Sequence, residues 1–218
     1  MSAPSEPRDL PDPHAAQPLL RRGPSLSDAR LGVILLHGRG ASAEDILALA
    51  EEFDVEDAAY VAPQAAGHSW YPQSFLVPIE RNEPGISSSL RVLSGLLAEF
   101  AQHGISSDRV ALAGFSQGAC LALEFAARFA QRYAAVIGLS GGLIGPPGTP
   151  RDYPGSLLGT KVFLGCSDVD LHIPLERVHE SAEVFRRLGA TVDERIYPGM
   201  GHTVNRDELD AVRAILKV

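Results

Sequence analysis

The sequence predicts an α/β protein built on one doubly wound, mostly parallel sheet with helices on both faces. Two observations lead to this fold class. Short apolar runs alternate with helical segments along the whole chain, which is the pattern of β-α-β units. Most of these runs are apolar at consecutive positions, as strands covered on both faces are. The chain has 218 residues, enough for one such domain with a full core.

The first strands and helix follow from turn and capping signals. Residues 19–22 read as an edge strand, and a Gly-Pro turn separates them from the apolar run at residues 31–37, the first central strand. Ser42 and Asp45 resemble a capping box that opens a helix over residues 46–53. A second buried strand follows at residues 59–62.

The middle of the chain contains a long loop and a conspicuous strand-turn-helix unit. The loop at residues 63–85 holds the only tryptophan, and loops this long in a compact domain are usually functional. Apolar residues then recur at helical spacing from residue 86 to about residue 104. A short apolar run at residues 110–113 predicts a strand, and residues 121–129 fit a helix.

The last third of the chain repeats the alternation. The predicted strands are residues 134–139, 161–165 and 191–196, and the predicted helices are residues 175–188 and 209–216. No internal repeat and no linker divides the chain, so we expect a single domain over residues 17–218. Residues 1–16 lack an apolar segment, which predicts a disordered or loosely attached leader and no signal peptide.

Charge and cysteine content exclude several classes of protein. The net charge of −8 and the absence of a Lys/Arg run argue against a nucleic-acid surface. No run reaches the length of a transmembrane helix, so we expect no stable membrane insertion. Cys120 and Cys166 are too few for a disulfide framework and predict reduced, buried thiols in the cytoplasm. A homodimer is an assembly that the sequence leaves open.

The turn Gly114-Phe115-Ser116-Gln117-Gly118 has the context of a nucleophile elbow. It lies between a predicted strand and a predicted helix, and its glycines stand two residues on either side of the serine. Such a turn is sharp, so the neighbouring positions must lack side-chain bulk. The hydroxyl of Ser116 should therefore stand clear of the sheet at the N-terminus of a helix.

Three further residues are candidates for the other two members of a catalytic triad. A serine hydroxyl needs a base to take its proton, and an imidazole needs a carboxylate to fix its tautomer. His202 lies in a glycine-rich loop after the last predicted strand, and Asp168 and Asp170 follow an earlier strand. The order Ser, Asp, His is the order of α/β hydrolases. The residues leave the acid open between Asp168 and Asp170, and His202 could instead be a surface-loop histidine.

The loop after the first central strand and the elbow are each expected to supply one oxyanion-stabilising group. The oxyanion stabilisers should be backbone N–H groups of Arg39 and Gln117. The Arg39 guanidinium could contact substrate or pair with Glu44 or Asp45.

The substrate-binding residues are predicted from two loops. We expect His37 and Gly38, where glycines allow close backbone approach, and Trp70 and Tyr71, from the long loop, to form the substrate site. Trp70 could alternatively fill the core under its loop.

Several separate motifs, in the correct order, resemble the phospholipase/carboxylesterase family, the bacterial esterases related to acyl-protein thioesterases. These motifs are Leu36-His37-Gly38-Arg39-Gly40, Ala62-Pro63-Gln64, Trp70-Tyr71, Glu83-Pro84-Gly85-Ile86, Gly114-Phe115-Ser116-Gln117-Gly118-Ala119 and Gly201-His202. The resemblance covers roughly residues 31–218. It implies an α/β-hydrolase fold without a large cap domain and hydrolysis of esters or thioesters with modest acyl groups. It places the nucleophile on Ser116 and the base on His202.

The same resemblance bears on the acid and on Arg39. The family's motif Asp-Pro-x-Val-Pro aligns with Asp170-Leu171-His172-Ile173-Pro174, whereas counting from Gly165 selects Asp168, because this chain carries one extra residue there. We favour Asp170, since the downstream Ile-Pro sets how the acid enters the site. Many thioesterases of the family carry an apolar residue in place of Arg39, which weakens the transfer of an acyl-protein substrate.

The sequence therefore predicts a serine esterase that acts on small esters, with lysophospholipid or thioester substrates as variants. A non-catalytic binding protein with the same fold is the competing hypothesis, and the complete set of triad and oxyanion residues argues against it. A dienelactone-type hydrolase is disfavoured because the nucleophile position holds Ser116 rather than Cys. We expect no cofactor and no metal, because Asp168, Asp170, His172 and His179 have no recognised ligand spacing.

Overall fold

A computed structural model describes residues 11–217, and their elements match the predicted alternation of strands and helices. The strands are β1 (Leu19–Arg22), β2 (Leu31–Leu36), β3 (Ala58–Pro63), β4 (Val110–Phe115), β5 (Ala135–Leu139), β6 (Lys161–Ser167) and β7 (Thr191–Tyr197). The helices are α1 (Ala43–Phe53), α2 (Gly85–Gln102), α3 (Gln117–Arg128), α4 (Leu175–Arg187) and α5 (Arg206–Leu216). Short 3₁₀ turns occur at Ala66–His68, Ile79–Asn82 and Ser107–Arg109.

Helices α1 and α5 each begin three residues before the first apolar residue that predicted them. Helix α1 begins at Ala43, directly after Ser42, the N-cap of the predicted capping box, whose side chain accepts the Asp45 amide hydrogen. Asn205 and Glu208 form an equivalent box at the start of α5. The polar first turn of a helix carries caps and acidic residues rather than core contacts, so apolar spacing locates a helix but misses its start.

The seven strands form one sheet in the order β1-β3-β2-β4-β5-β6-β7. β1 pairs antiparallel with β3, and all other pairs are parallel. The chain moves outward from β2 to β3 and then returns to β4 on the other side of β2, so the winding reverses between β2 and β4. Ligands bind at such switch points, outside the carboxyl ends of the strands. Leu36 is opposite Gly114 here, which brings the two following loops together.

Apolar side chains fill both faces of the sheet. Along β2, Ile34 and Leu36 pack with α2, α3 and α4 on one face, whereas Val33 and Leu35 pack with α1 and α5 on the other. The predicted arrangement of helices on both faces of a buried sheet is confirmed. It holds the strand ends rigidly, which is what a catalytic site on the following loops requires.

The start of the described chain differs from the predicted loose leader. Residues 1–10 lie outside the described residues, but within residues 11–16 the side chain of His14 is 4% exposed. Its Nε2 lies 3.0 Å from the carbonyl oxygen of Trp70, and its Nδ1 lies 3.0 Å from the amide nitrogen of Ala66. The prediction of loose attachment is wrong for this part because polar hydrogen bonds, which composition does not reveal, attach it to the long loop.

The hydrogen bonds of His14 make the stability of the protein pH-dependent. The Ala66 N–H donates to Nδ1 and the Trp70 carbonyl accepts from Nε2–H. The bond to Nδ1 requires the neutral ring, because a protonated Nδ1 cannot accept a hydrogen. Burial lowers the pKa of His14 below its ordinary value of 6.5. The unfolded chain therefore binds this proton at higher pH than the folded one, and stability is lost as the pH falls below 6.5.

We predict that His14→Gln costs about 1–3 kcal/mol of unfolding free energy at about pH 7.5 and costs less at about pH 5.5. Glutamine can donate and accept hydrogen bonds but does not titrate, so the variant should lose the pH-dependent part of the unfolding free energy. Denaturant unfolding at several pH values measures the difference, with the exposed His103→Gln as the matched control. An equal difference at every pH would contradict the assignment.

Candidate active site

Ser116 lies in a strained turn between β4 and α3. Its backbone has φ 55° and ψ −119°, a conformation that L-residues rarely adopt. A Cβ on Gly114 would lie 2.4 Å from the Gly118 backbone, and a Cβ on Gly118 would lie 2.1 Å from the Leu36 carbonyl oxygen. The two glycines are therefore required by close backbone contacts, as the elbow pattern predicts. The Ser116 amide donates to the Leu139 carbonyl at 2.9 Å, which fixes the turn to β5.

His202 and Asp170 approach Ser116 from two other loops. The His202 loop joins β7 to α5, and Asp170 follows β6. Nε2 of His202 lies 2.8 Å from Oγ of Ser116, and Nδ1 lies 2.7 Å from Oδ2 of Asp170. These distances give a continuous chain of hydrogen bonds in the order Ser, His, Asp. A chain of this kind can move a proton from the hydroxyl to the imidazole.

The carboxylate of Asp170 is held in place as an anion. Its side chain is fully buried, and Oδ1 accepts the amide hydrogens of His172 at 2.8 Å and Ile173 at 3.1 Å. Burial alone would raise the pKa of Asp170, but the hydrogen bonds from His202 and from these two amides hold it below the ordinary value. The ionised group is therefore stable beside the imidazole.

Asp168, the other candidate acid, contacts the His202 loop but not the His202 ring. Its Oδ1 accepts the amide hydrogen of Gly199 at 2.7 Å. Ser167 acts similarly, since its Oγ accepts the amide hydrogen of Gly201 at 3.0 Å. Two side chains at the end of β6 thus fix the loop that presents the imidazole.

The Arg39 loop lies directly against Ser116. A Cβ on Gly38 would be 3.4 Å from the Ser116 Cβ, so the backbone of this loop borders the hydroxyl. Among the described residues, the amides of Arg39 and Gln117 have no hydrogen-bond acceptor. Two free N–H groups beside a serine hydroxyl are what an oxyanion hole requires.

The Arg39 side chain does not pair with Glu44 or Asp45, and that alternative is wrong. Its Nη1 donates to Ser69 Oγ at 3.1 Å and to the Pro72 carbonyl at 3.0 Å. Its Nη2 donates to the Gln73 carbonyl at 2.6 Å. The long loop reaches back over the strand ends and offers carbonyl groups closer than the carboxylates of α1.

Tyr71 borders the cleft above Ser116, but Trp70 and His37 do not. Trp70 is 1% exposed, and its Nε1 donates to the His37 carbonyl at 2.9 Å. The His37 ring is fully buried, accepts the Ala65 amide hydrogen at Nε2, and has a pKa lowered by burial. The structure therefore contradicts the expected substrate contacts of Trp70 and His37, because both rings fill the core beneath the loop.

The side chain of Gln117 connects the long loop to the elbow. Its Oε1 accepts the Trp70 amide hydrogen at 2.9 Å, and its Nε2 donates to the Tyr71 carbonyl at 2.8 Å. The residue next to the nucleophile thus fixes the backbone that forms one wall of the cleft. This role of the side chain was not predicted, since only its amide is implied by the elbow pattern.

The cleft above Ser116 has a volume of about 510 Å³. The residues around it are Gly38, Arg39, Ala41, Tyr71, Pro72, Gln73, Ser74, Phe75, Phe115, Ser116, Gln117, Cys120, His172, Ile173 and His202. Phe115, His172 and Ile173 were not predicted to line it. Their proximity to the candidate triad in sequence was the available signal. None of the helices within residues 11–217 combines the length and the hydrophobicity of a membrane-spanning segment.

A mostly parallel sheet with a nucleophile elbow after a central strand and a histidine loop after the last strand defines the α/β-hydrolase fold. The family model described as phospholipase/carboxylesterase matches residues 25–218. The chain therefore belongs to the phospholipase/carboxylesterase family, and the resemblance seen in its motifs is confirmed.

Solved structures of similar proteins agree with this family. A phospholipase/carboxylesterase from Dyadobacter fermentans is 36% identical with a TM-score of 0.90, covering 93% of this chain and 97% of that one. Esterase PE8 is 29% identical with a TM-score of 0.72, covering 92% of this chain and 97% of that one.

Among curated relatives, acyl-protein thioesterase 1 of Gibberella zeae is 32% identical over 148 residues, which is 63% of this chain and 60% of that protein. The matched region thus spans about 60% of the length of that relative.

Proposed function

We propose that the protein is a serine hydrolase that cleaves small carboxylic esters through a covalent acyl-enzyme. One observation carries the proposal: Ser116, His202 and Asp170 form an unbroken chain of hydrogen bonds that opens on a cleft. Ser116 is the nucleophile, His202 the general base and acid, and Asp170 the group that orients the imidazole. Membership of an esterase family supports the same reaction class.

In the acylation step, Nε2 of His202 takes the proton of Ser116 while Oγ forms a bond to the ester carbonyl carbon. The carbonyl oxygen becomes an oxyanion and receives hydrogen bonds from the Arg39 and Gln117 amides. When this intermediate collapses, the bond to the alcohol oxygen breaks. His202 gives its proton to that oxygen, and the alcohol leaves with the acyl group bound to Ser116.

In the deacylation step, water takes the place of the alcohol. His202 removes a proton from the water as it attacks the acyl carbon, and the same amides stabilise the second oxyanion. The Ser116 ester bond then breaks, and His202 returns the proton to Oγ. Asp170 stays ionised throughout, because its hydrogen bonds hold the pKa of the carboxyl low.

Thioester hydrolysis is the second candidate activity, supported by the name of the relative from Gibberella zeae. The same residues would act on either substrate, so the leaving group must be determined by experiment. A series of esters and thioesters of increasing acyl length, compared by kcat/KM, distinguishes the two. We place small esters first because the cleft is modest in size and carries the Arg39 side chain.

A cysteine nucleophile is disfavoured in this site. Cys120 borders the cleft, but burial raises the pKa of its thiol to about 12, so it stays protonated at neutral pH. Cys166 is also free and buried. Two buried, unpaired thiols support a cytoplasmic location, which we include in the proposal together with a small-molecule substrate. A homodimer stays a prediction.

We predict that Ser116→Ala lowers kcat/KM for a small ester by at least about 10⁴-fold and leaves the protein folded, as loss of a triad nucleophile does. Ser87→Ala on α2, where the hydroxyl only contacts Glu83, is the matched control. A fluorophosphonate probe should label the wild-type protein at Ser116 and fail to label the variant. Turnover near the wild-type value in Ser116→Ala would end the serine-hydrolase proposal.

We predict that Asp170→Asn lowers kcat by about 10⁴-fold, because an amide neither holds the required tautomer nor stabilises the imidazolium. Asp168→Asn should lower kcat by less than about 10-fold, since an amide oxygen can still accept the Gly199 hydrogen. The two aspartates lie in the same loop, so each variant controls for the other. A larger loss for Asp168→Asn would reverse the assignment of the acid.

A further inference from the structure

We propose that the preferred esters carry an anionic group, most simply a carboxylate, on the acyl part, and that the Arg39 guanidinium binds it. This inference rests on the proposed function, because it names a substrate class for the same site. It follows from the way in which Arg39 is held, from the charge around it and from its position relative to His202.

The guanidinium of Arg39 is exposed but fixed in one orientation. Its two Nη1 hydrogens are donated to Ser69 Oγ and the Pro72 carbonyl, and one Nη2 hydrogen to the Gln73 carbonyl. A guanidinium has five N–H donors, so two remain, on Nε and on Nη2. Nε and Nη2 lie along one edge of the planar group, and the Nε–H on that edge has no acceptor among the described residues. That edge has the geometry that binds a carboxylate with two parallel hydrogen bonds.

The positive charge of Arg39 is not neutralised within the described residues. All three acceptors of its side chain are neutral oxygens. None of the ion pairs found among residues 11–217 includes Arg39, although the protein has a net charge of −8. Arg30, by contrast, pairs with Asp57 at 2.5 Å. An uncompensated cation that is already ordered loses little entropy when it binds an anion.

No acidic side chain competes for Arg39 at the cleft. The described residues around the cleft include no Asp and no Glu. The acid of the candidate triad, Asp170, is fully buried and already bonded to His202. An anionic substrate group would therefore meet the Arg39 charge in a cleft whose described lining carries no carboxylate.

The position of His202 indicates which part of the substrate reaches Arg39. The leaving alcohol must lie against His202, because Nε2 gives it a proton. The His202 ring packs with Phe115 and His172, whereas the Arg39 side chain is bonded to the loop that carries Pro72 and Gln73. The group that faces Arg39 is thus the acyl part rather than the alcohol.

The test compares monoethyl glutarate with ethyl glutaramate, which differ only in a carboxylate against a neutral amide of the same shape. We expect wild-type kcat/KM to be about 10-fold higher for the carboxylate, the effect of about 1.4 kcal/mol from one charge-assisted contact. Arg39→Gln should lower this ratio to about 1, and Arg39→Lys should restore part of it. High salt should reduce the wild-type ratio.

Two controls separate local binding from general effects. Arg187→Gln makes the same change of net charge on α4 outside the cleft and should keep the wild-type ratio. A second pair of esters, acetylglycolate and acetylglycolamide, carries the carboxylate on the alcohol part and should show no change in ratio with Arg39→Gln. A change only in this second pair would overturn the assignment to the acyl part.

The outcomes also distinguish this inference from the proposed function. A wild-type enzyme that hydrolyses both glutarate esters with a ratio near 1 overturns the anionic preference and leaves the esterase intact. An equal fall in kcat/KM for both glutarate esters in Arg39→Gln, with their ratio retained, also overturns the inference, because the guanidinium then only holds the loop. Failure to hydrolyse or bind any ester overturns the function and the inference together. Protection of Ser116 from a fluorophosphonate by glutaramate, but not by the neutral diamide glutaramide, supports the inference without relying on turnover.

Discussion

The close contact between the Ser116 turn and strand β2 is the constraint on which the site depends. Because Gly118 lies against the Leu36 carbonyl, α3 can begin directly beside the end of β2. The amides of Gln117 and Arg39 then border the same hydroxyl from two different segments of chain. Any side chain at Gly118 would push these segments apart, and the nucleophile would lose the groups that we assign to its oxyanion hole.

A second set of contacts fixes the wall of the cleft relative to the Ser116 turn. Gln117 holds the backbone of Trp70 and Tyr71, and His14 holds Trp70 from the other side. Trp70 is therefore a core residue whose position fixes Tyr71 above the nucleophile. The Arg39 guanidinium donates to the Pro72 and Gln73 carbonyls of the same loop. These bonds explain how Arg39, which we assign to substrate specificity, is ordered although it is exposed.

Local patterns were sufficient to predict the strands, the helices and the Ser116 elbow. Apolar runs and glycine spacing act within a few residues, so a sequence displays them directly. The choice between Asp168 and Asp170 cannot be made from such patterns. Both residues follow β6, and the sequence does not show which carboxylate faces His202. Residues alone left it open, and the family motif favoured Asp170. The partners of His14 are backbone groups 52 and 56 residues away, and no local signal reveals them.

Trp70 shows a further limit of prediction from sequence, because an aromatic residue in a long loop suits a core and a pocket wall equally well.

The measurement that tests the account most directly is a crystal structure of the protein after reaction with a small alkyl phosphonate. We predict phosphorus bonded to Ser116 Oγ, with the phosphonyl oxygen within about 3 Å of both the Arg39 and the Gln117 amide nitrogens. A phosphonyl oxygen that points to solvent, or an adduct on another residue, would contradict the account.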